Sequence, residues 1–341
     1  MNLFGHPRTA QELLPLVGRM DQVASSTALT EDEGPARGMR RIIVRCGELT
    51  FDVHPDRGLD VGAFFFRGIP LVWSSPSGLT APWNRDSSAM SWIQAFPGGL
   101  FTTCGLDTFG SPSEDKGQTF PLHGRASTLQ AENVAHDGRW TEDGDYEIVV
   151  SGRVRQARLF GENLELRRTI RCRLGTGQLT VDDVVTNLGP SQQPHMMLYH
   201  INLGWPLLDD VARLQIPSRE VHPRDPDAES GIAEWGAFRT PSDPFPEQVF
   251  RHSFDAVPAD VDVTLSSPRL GLALALTFNT YQLPHFFQWK MLASGAYVLG
   301  LEPANCPVIE GRATARTRGL LPLLAPGESR NYRLGFRVLS L

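Results

Sequence analysis

The chain has 341 residues, 41% of them apolar and 21% charged, and a formal net charge of −6. That is the balance of a globular protein with room for one large β-sandwich or two smaller domains. It argues against a basic nucleic-acid binder, and no run approaches the ~20 apolar residues that a spanning helix requires.

Residues 1–40 read as a helical extension and linker, ahead of a single domain over 41–341. Thr9 and Glu12 have capping-box spacing, and Leu13, Leu14, Leu16, Val17 and Met20 follow at helical intervals. A helix is therefore predicted over about 9–23. Ser25 to Gly38 is polar, contains Pro35 and two glycines, and reads as a connecting loop. No uninterrupted apolar stretch with a small-residue cleavage site stands at the N-terminus. Cys46, Cys104, Cys172 and Cys306 are far apart, which fits buried thiols in a cytoplasmic protein better than a disulfide or zinc framework.

From Arg41 onward the period is two. Leu164, Leu166, Ile170, Cys172 and Leu174 alternate with Glu165, Arg167, Thr169, Arg171 and Arg173, the pattern of a strand with one buried and one wet face. The Arg167-Arg168 pair is placed on that solvated sheet face. Gly161-Glu-Asn163 and Gly175-Thr-Gly177 bracket the strand as turns, so 146–187 reads as an antiparallel meander. Residues 205–260 are rich in proline and acidic residues and read as extended excursions. In 270–278 large residues alternate with small ones, as in a strand covered on both faces. Tyr332 to Val338 closes the chain as a last strand after the Pro326-Gly327 turn. Long helices between strands are missing, as are GxGxxG and GxSxG motifs. The expected fold is all-β: a large antiparallel β-sandwich with a short N-terminal helix.

Three islands carry the chemistry. In Tyr199-His-Ile-Asn202, alternation puts His200 and Asn202 on one strand face, where they could bond a polyol and deliver a proton. In Pro121-Leu-His-Gly-Arg125, Gly124 lets a ligand approach the backbone beside His123. In Tyr297-Val-Leu-Gly-Leu-Glu-Pro303, Glu302 ends an apolar strand where an unpaired charge would be costly, and Pro303 suggests that the sheet stops there. Lys290 follows the aromatic run at 285–289, a platform suited to a sugar ring, and Asn305 lies three residues beyond Glu302. Arg57 and Asp60 read as a structural ion pair. The competing readings are a buried structural histidine, an exposed loop histidine, a salt-bridging glutamate and core aromatics.

Taken in order, Asp56-Arg-Gly-Leu-Asp60, Gly98-Gly99, Thr103-Cys-Gly-Leu106, Leu122-His-Gly-Arg125, Tyr199-His-Ile-Asn-Leu-Gly204, Leu301-Glu-Pro303 and Asn305 resemble the aldose 1-epimerase (galactose mutarotase-like) superfamily, in its bacterial branch. The resemblance runs over about 41–341. It implies a supersandwich with a sugar cleft on a concave face. It also implies a cofactor-free interconversion of sugar anomers, in which a glutamate takes the anomeric proton and a histidine protonates the ring oxygen. By position Glu302 is the base and His200 the acid, with His123, Asn202, Lys290, Asn305 and Arg57 binding substrate. The implied partner is a small sugar, with neither nucleic acid nor membrane. The chain departs from the pattern where Phe120-Pro-Leu122 precedes the first histidine, in place of an upstream Asn. Two other classes compete: a metal-assisted isomerase or lyase acting on an oxidised sugar through His123, His200 and Glu302, and a non-catalytic carbohydrate-binding protein.

Overall fold

The computed structural model describes residues 1–84, 88–255 and 259–341. Two antiparallel sheets face each other. The larger has eleven strands and runs, edge to edge, from Glu220–Pro223 through Gln248–Ser253, His285–Ala293, Ala296–Ala304, Leu198–Gly204, Phe101–Cys104, Asp60–Phe66, Leu49–His54 and Arg40–Cys46 to Ala24–Thr30; a short strand, Ile69–Pro70, pairs beside Asp60–Phe66. The smaller has eight strands and holds the predicted meander as three consecutive strands, Tyr146–Ala157, Asn163–Arg173 and Gln178–Asn187. Ser329–Ser340 and Leu272–Asn279 lie next to them. Leu272–Asn279 is buried at almost every position, as its alternating large and small residues predict.

The main core fills the space between the sheets, where Leu166, Ile170 and Leu334 meet Phe64, Tyr199 and Leu301. One charged side chain crosses it. Arg168 is 1% exposed, which corrects its assignment to the wet face. Its guanidinium donates to both carboxylate oxygens of Asp183 at 2.9 and 2.7 Å, to Asp60 Oδ1 at 3.0 Å, to Thr103 Oγ1 and to the Gly58 carbonyl. Tyr199 donates its hydroxyl to Asp183 at 2.6 Å. A buried guanidinium is tolerable only with such complete pairing. Asp60 thus takes Arg168 as its close partner, while Arg57 donates to the carbonyls of Thr80 and Ala95.

The N-terminus also differs from expectation. The capping box at Thr9 and Glu12 forms, but the helix spans only Ala10–Leu13 before a 3₁₀ turn. Pro15 lacks the amide that the next turn needs and crowds the preceding carbonyls, so the pattern stops there. Part of the predicted loop is instead the edge strand Ala24–Thr30, paired with Arg40–Cys46. The excursions of 205–260 contain three strands of their own and a short helix, Pro226–Ser230. All four cysteines are buried and unpaired, as predicted. Among the described residues no helix is long and apolar enough to cross a membrane.

Candidate active site

Beside β1 (Phe101–Cys104), three adjacent strands of the larger sheet make the floor of a cleft: β2 (Leu198–Gly204), β3 (His285–Ala293) and β4 (Ala296–Ala304). Ile201 pairs with Leu301, so His200 lies directly across from Glu302; Glu302 in turn pairs with Phe287, and His200 with Thr102. Cross-strand partners project to the same face. His200, Asn202, Glu302, Phe287 and Trp289 therefore point away from the main core, whereas Tyr199, Ile201 and Leu301 point into it. Pro303 does not end the sheet; β4 runs one residue further, to Ala304. Gly300, between the pair and Trp289, is required by space: a Cβ there would sit 2.7 Å from Trp289 Cβ and 3.0 Å from Glu302 Oε1.

The cleft measures about 890 Å³, and both His200 and Glu302 reach it. Their side chains are nearly sealed, at 5% and 2% exposure, and His200 Nε2 lies 3.3 Å from Glu302 Oε1. Aromatic rings enclose the imidazole: Phe96 at 5.1 Å, Trp289 at 5.3 Å and Trp92 at 5.8 Å between centroids. His123 enters from the loop after Phe120 with its ring 5.6 Å from that of His200 and 4.5 Å from Trp92. Gly124 lets that loop close, since a Cβ at its φ of +76° would lie 2.4 Å from the Thr108 carbonyl.

Asn202 fixes the orientation and tautomer of His200. Its amide nitrogen donates to the carbonyls of Gly99 and His200, so its oxygen, 2.7 Å from His200 Nδ1, must accept. The imidazole carries hydrogen on Nδ1 and presents Nε2 to Glu302. Burial pushes His200 down to about 4 and, with Glu247 adding repulsion against the opposing pull of Arg224, raises Glu302 to about 8. Burial, with His200 alongside, takes His123 down to about 3. Desolvation penalises whichever form is charged, so the pair holds one proton between these limits, and that proton rests on Glu302.

The family model described as a domain of unknown function, DUF4432, matches residues 36–338. The chain belongs to the DUF4432 family. No curated protein matches this DUF4432 chain. Among solved structures it is similar to a Klebsiella pneumoniae protein named as a candidate aldose 1-epimerase, with TM-score 0.85 and 24% identity over 94% of this chain and 86% of that one. A galactose mutarotase-like protein from Clostridium acetobutylicum gives TM-score 0.65 at 12% identity, over 94% and 100%. A galactose 1-epimerase from Lactobacillus acidophilus gives 0.59 at 12%, over 93% and 99%. At these identities the likeness is one of fold, and the DUF4432 chain has the galactose mutarotase-like β-sandwich that its sequence resembles.

Within that sandwich the predicted site residues part company. His200, Glu302 and His123 meet in the cleft. Asn202 stands behind His200 with both donors spent, so it holds the imidazole where substrate binding was expected. Lys290 is on the other face of β3: it is adjacent to Trp289, and alternation sends the two side chains apart. Its Nζ donates to the Glu234 carbonyl at 2.7 Å beside a separate cavity of about 230 Å³. Asn305 ties the chain at Met197, His195 and Tyr332, and Arg57 braces the segments at Thr80 and Ala95. Neither lines the cleft.

Sequence reasoning missed Trp73, Trp92 and Phe96, which come from loops and the one-turn helix Ser91–Gln94, too short to show periodicity; the Gly98-Gly99 passage beside them was the available signal. It also missed the rim, where Glu247 accepts from Trp289 Nε1 at 3.1 Å and from Arg224 Nη2 at 2.9 Å. Among the described residues no group of three or more His, Cys, Asp or Glu side chains is arranged to hold a metal ion.

Proposed function

We propose that this DUF4432 protein interconverts the anomers of a reducing sugar by acid–base catalysis, an aldose 1-epimerase-type reaction. The observation that carries the reading is the contact of His200 Nε2 with Glu302 Oε1, 3.3 Å apart at the floor of an aromatic cleft. The anomeric hydroxyl and the ring oxygen of a pyranose are bound to one carbon, so two groups a hydrogen bond apart reach both. Glu302 is the base and His200 the acid. Sugar hydroxyls entering the cleft bring dipoles up to the pair, and the single proton moves from Glu302 to His200 Nε2 as separated charges become tolerable.

Glu302 then takes the proton of the anomeric hydroxyl while His200 Nε2 gives its proton to the ring oxygen. The bond between the anomeric carbon and the ring oxygen breaks, and a carbonyl forms at that carbon. After the carbonyl turns its other face, the ring hydroxyl attacks it and returns its proton to His200, and Glu302 protonates the new anomeric oxygen. Protons and electron pairs balance over the cycle, with no external oxidant or reductant. His123 and the rings of Trp92 and Trp289 hold the sugar against the pair. Polarimetry of freshly dissolved single anomers tests the reading: wild type should speed equilibration of at least one sugar, and His200→Asn should lose about 10²–10⁴-fold of that rate. Equal rates in the two proteins would end it.

A further inference from the structure

The lining of the cleft also bears on which sugars fit it, on the acid–base reading above. An ordinary hexose presents hydroxyls that each need a partner once buried, and an unpartnered one is costly. This cleft has few partners to give. His200 and Glu302 are occupied by the reacting centre. The Arg224 guanidinium is bonded to Asp225 at 2.7 Å and to Glu247 at 2.9 Å. Ser77 donates to the Phe96 carbonyl at 2.8 Å and lies 2.7 Å from the Ser75 hydroxyl. Lys290 faces the other way. Among the described residues what remains is the rim hydroxyl of Ser111 and the half-buried imidazole of His123, whose Nδ1, like Trp92 Nε1, is buried without a partner.

Apolar surface is abundant by contrast. Trp73, Trp92, Phe96 and Trp289 wall the cleft, and Met90 and Ile93 stand on its edge at 47% and 55% exposure. With Glu302 holding its proton, the charged lining is still mostly acidic: Glu247 and Glu310 against the one arginine among the described lining residues, already held by carboxylates. An anionic sugar would meet like charge, with no free cation among the described residues of the cleft wall to offset its desolvation.

We propose that the cleft takes a neutral reducing sugar in which hydrogen or alkyl groups replace some hydroxyls, and that it rejects phosphorylated, sulfonated and oxidised sugars. The half-buried imidazole of His123 and the Ser111 hydroxyl bond the hydroxyls that such a sugar keeps, and the aromatic walls cover the positions where a hydroxyl is missing.

The experiment is a matched panel in the gluco and galacto series: 6-deoxyhexose, hexose, uronate and hexose 6-phosphate. Anomer exchange is followed by NMR and binding by quenching of tryptophan fluorescence. The 6-deoxyhexose of one series should be turned over about tenfold more efficiently than its hexose, and the two anions about a hundredfold less. A uronate or phosphate that exchanges as fast as the neutral sugars would overturn this proposal and leave the acid–base reading standing. Selective quenching by a deoxyhexose with no exchange of any sugar would sustain the proposed selectivity and sink the acid–base reading. Quenching by the anions alone, or by none of the eight sugars, would overturn the proposal.

Discussion

Asn202 Oδ1 lies 2.7 Å from His200 Nδ1, two residues away along one strand. With both donors of that amide committed to the Gly99 and His200 carbonyls, the imidazole has a single free nitrogen, and it faces Glu302. The His200–Glu302 pair therefore behaves as one unit with one exchangeable proton.

That unit sets the pH dependence. Above about 8 Glu302 loses the proton and the pair has no acid; below about 4 His200 gains a second and the pair has no base. The rate of anomer exchange should be bell-shaped with limbs near these values, which belong to the pair rather than to either residue. A rate that stays flat from pH 3 to pH 9 would contradict it.

Asn202→Asp should move the low-pH limb upward. A carboxylate beside Nδ1–H favours the imidazolium, by about one unit or more. A merely structural Asn202 would lower activity without moving the limb. Two carbonyls lose their donor, so a stability loss of about 1–3 kcal/mol should accompany the shift.

Glu302→Gln separates catalysis from stability. A carboxyl held protonated to about 8 in the folded protein ionises near its ordinary value once unfolded. Its contribution is fully present below that ordinary value and is lost as pH rises toward 8. The amide can still donate to His200 Nε2 and has no charge to bury. Thermal unfolding at pH 8 should show a midpoint no lower than wild type, and preferably higher; a large drop would mean that Glu302 is an ordinary stabilising ion-pair partner.

Lys290→Met should leave anomer exchange within about twofold of wild type, because the ammonium is on the far face of the strand. The lost bond to Glu234 should cost about 1 kcal/mol in denaturant unfolding. A tenfold fall in turnover would return Lys290 to the site.

Arg168→Met should be the most damaging of these changes to the fold. It strands Asp60 and Asp183 between the sheets, and removing one partner of a buried pair costs about 3–5 kcal/mol. Urea unfolding measures this directly; a loss below about 1 kcal/mol would mean that the network is easily replaced.

The larger part of the fold was legible because alternation is local. The meander of 146–187, the doubly covered strand at 272–279 and the closing strand each show in their own residues which faces are buried. The helix predicted to residue 23 failed at Pro15, where one imino acid outweighs five well-spaced apolar residues. Arg168 was misplaced because its partners, Asp60 and Asp183, come from strands remote in sequence, and only tertiary pairing makes a buried guanidinium tolerable. In the site, the shared face of His200 and Asn202 was readable from parity, and so was the opposition of Trp289 and Lys290, had parity been applied there. The aromatic walls were not, since Trp73, Trp92 and Phe96 lie on segments whose course is set by packing rather than by any repeat.

The central claim is that His200 and Glu302 together pass protons to and from an anomeric centre. Magnetisation-transfer NMR near pH 6 reads the exchange of α and β anomers directly, sugar by sugar. Wild type should exchange at least one neutral sugar well above the buffer rate, and Glu302→Gln should reduce that gain by about 10²–10⁴-fold while remaining folded. A folded Glu302→Gln protein that exchanges anomers as fast as wild type would contradict the account.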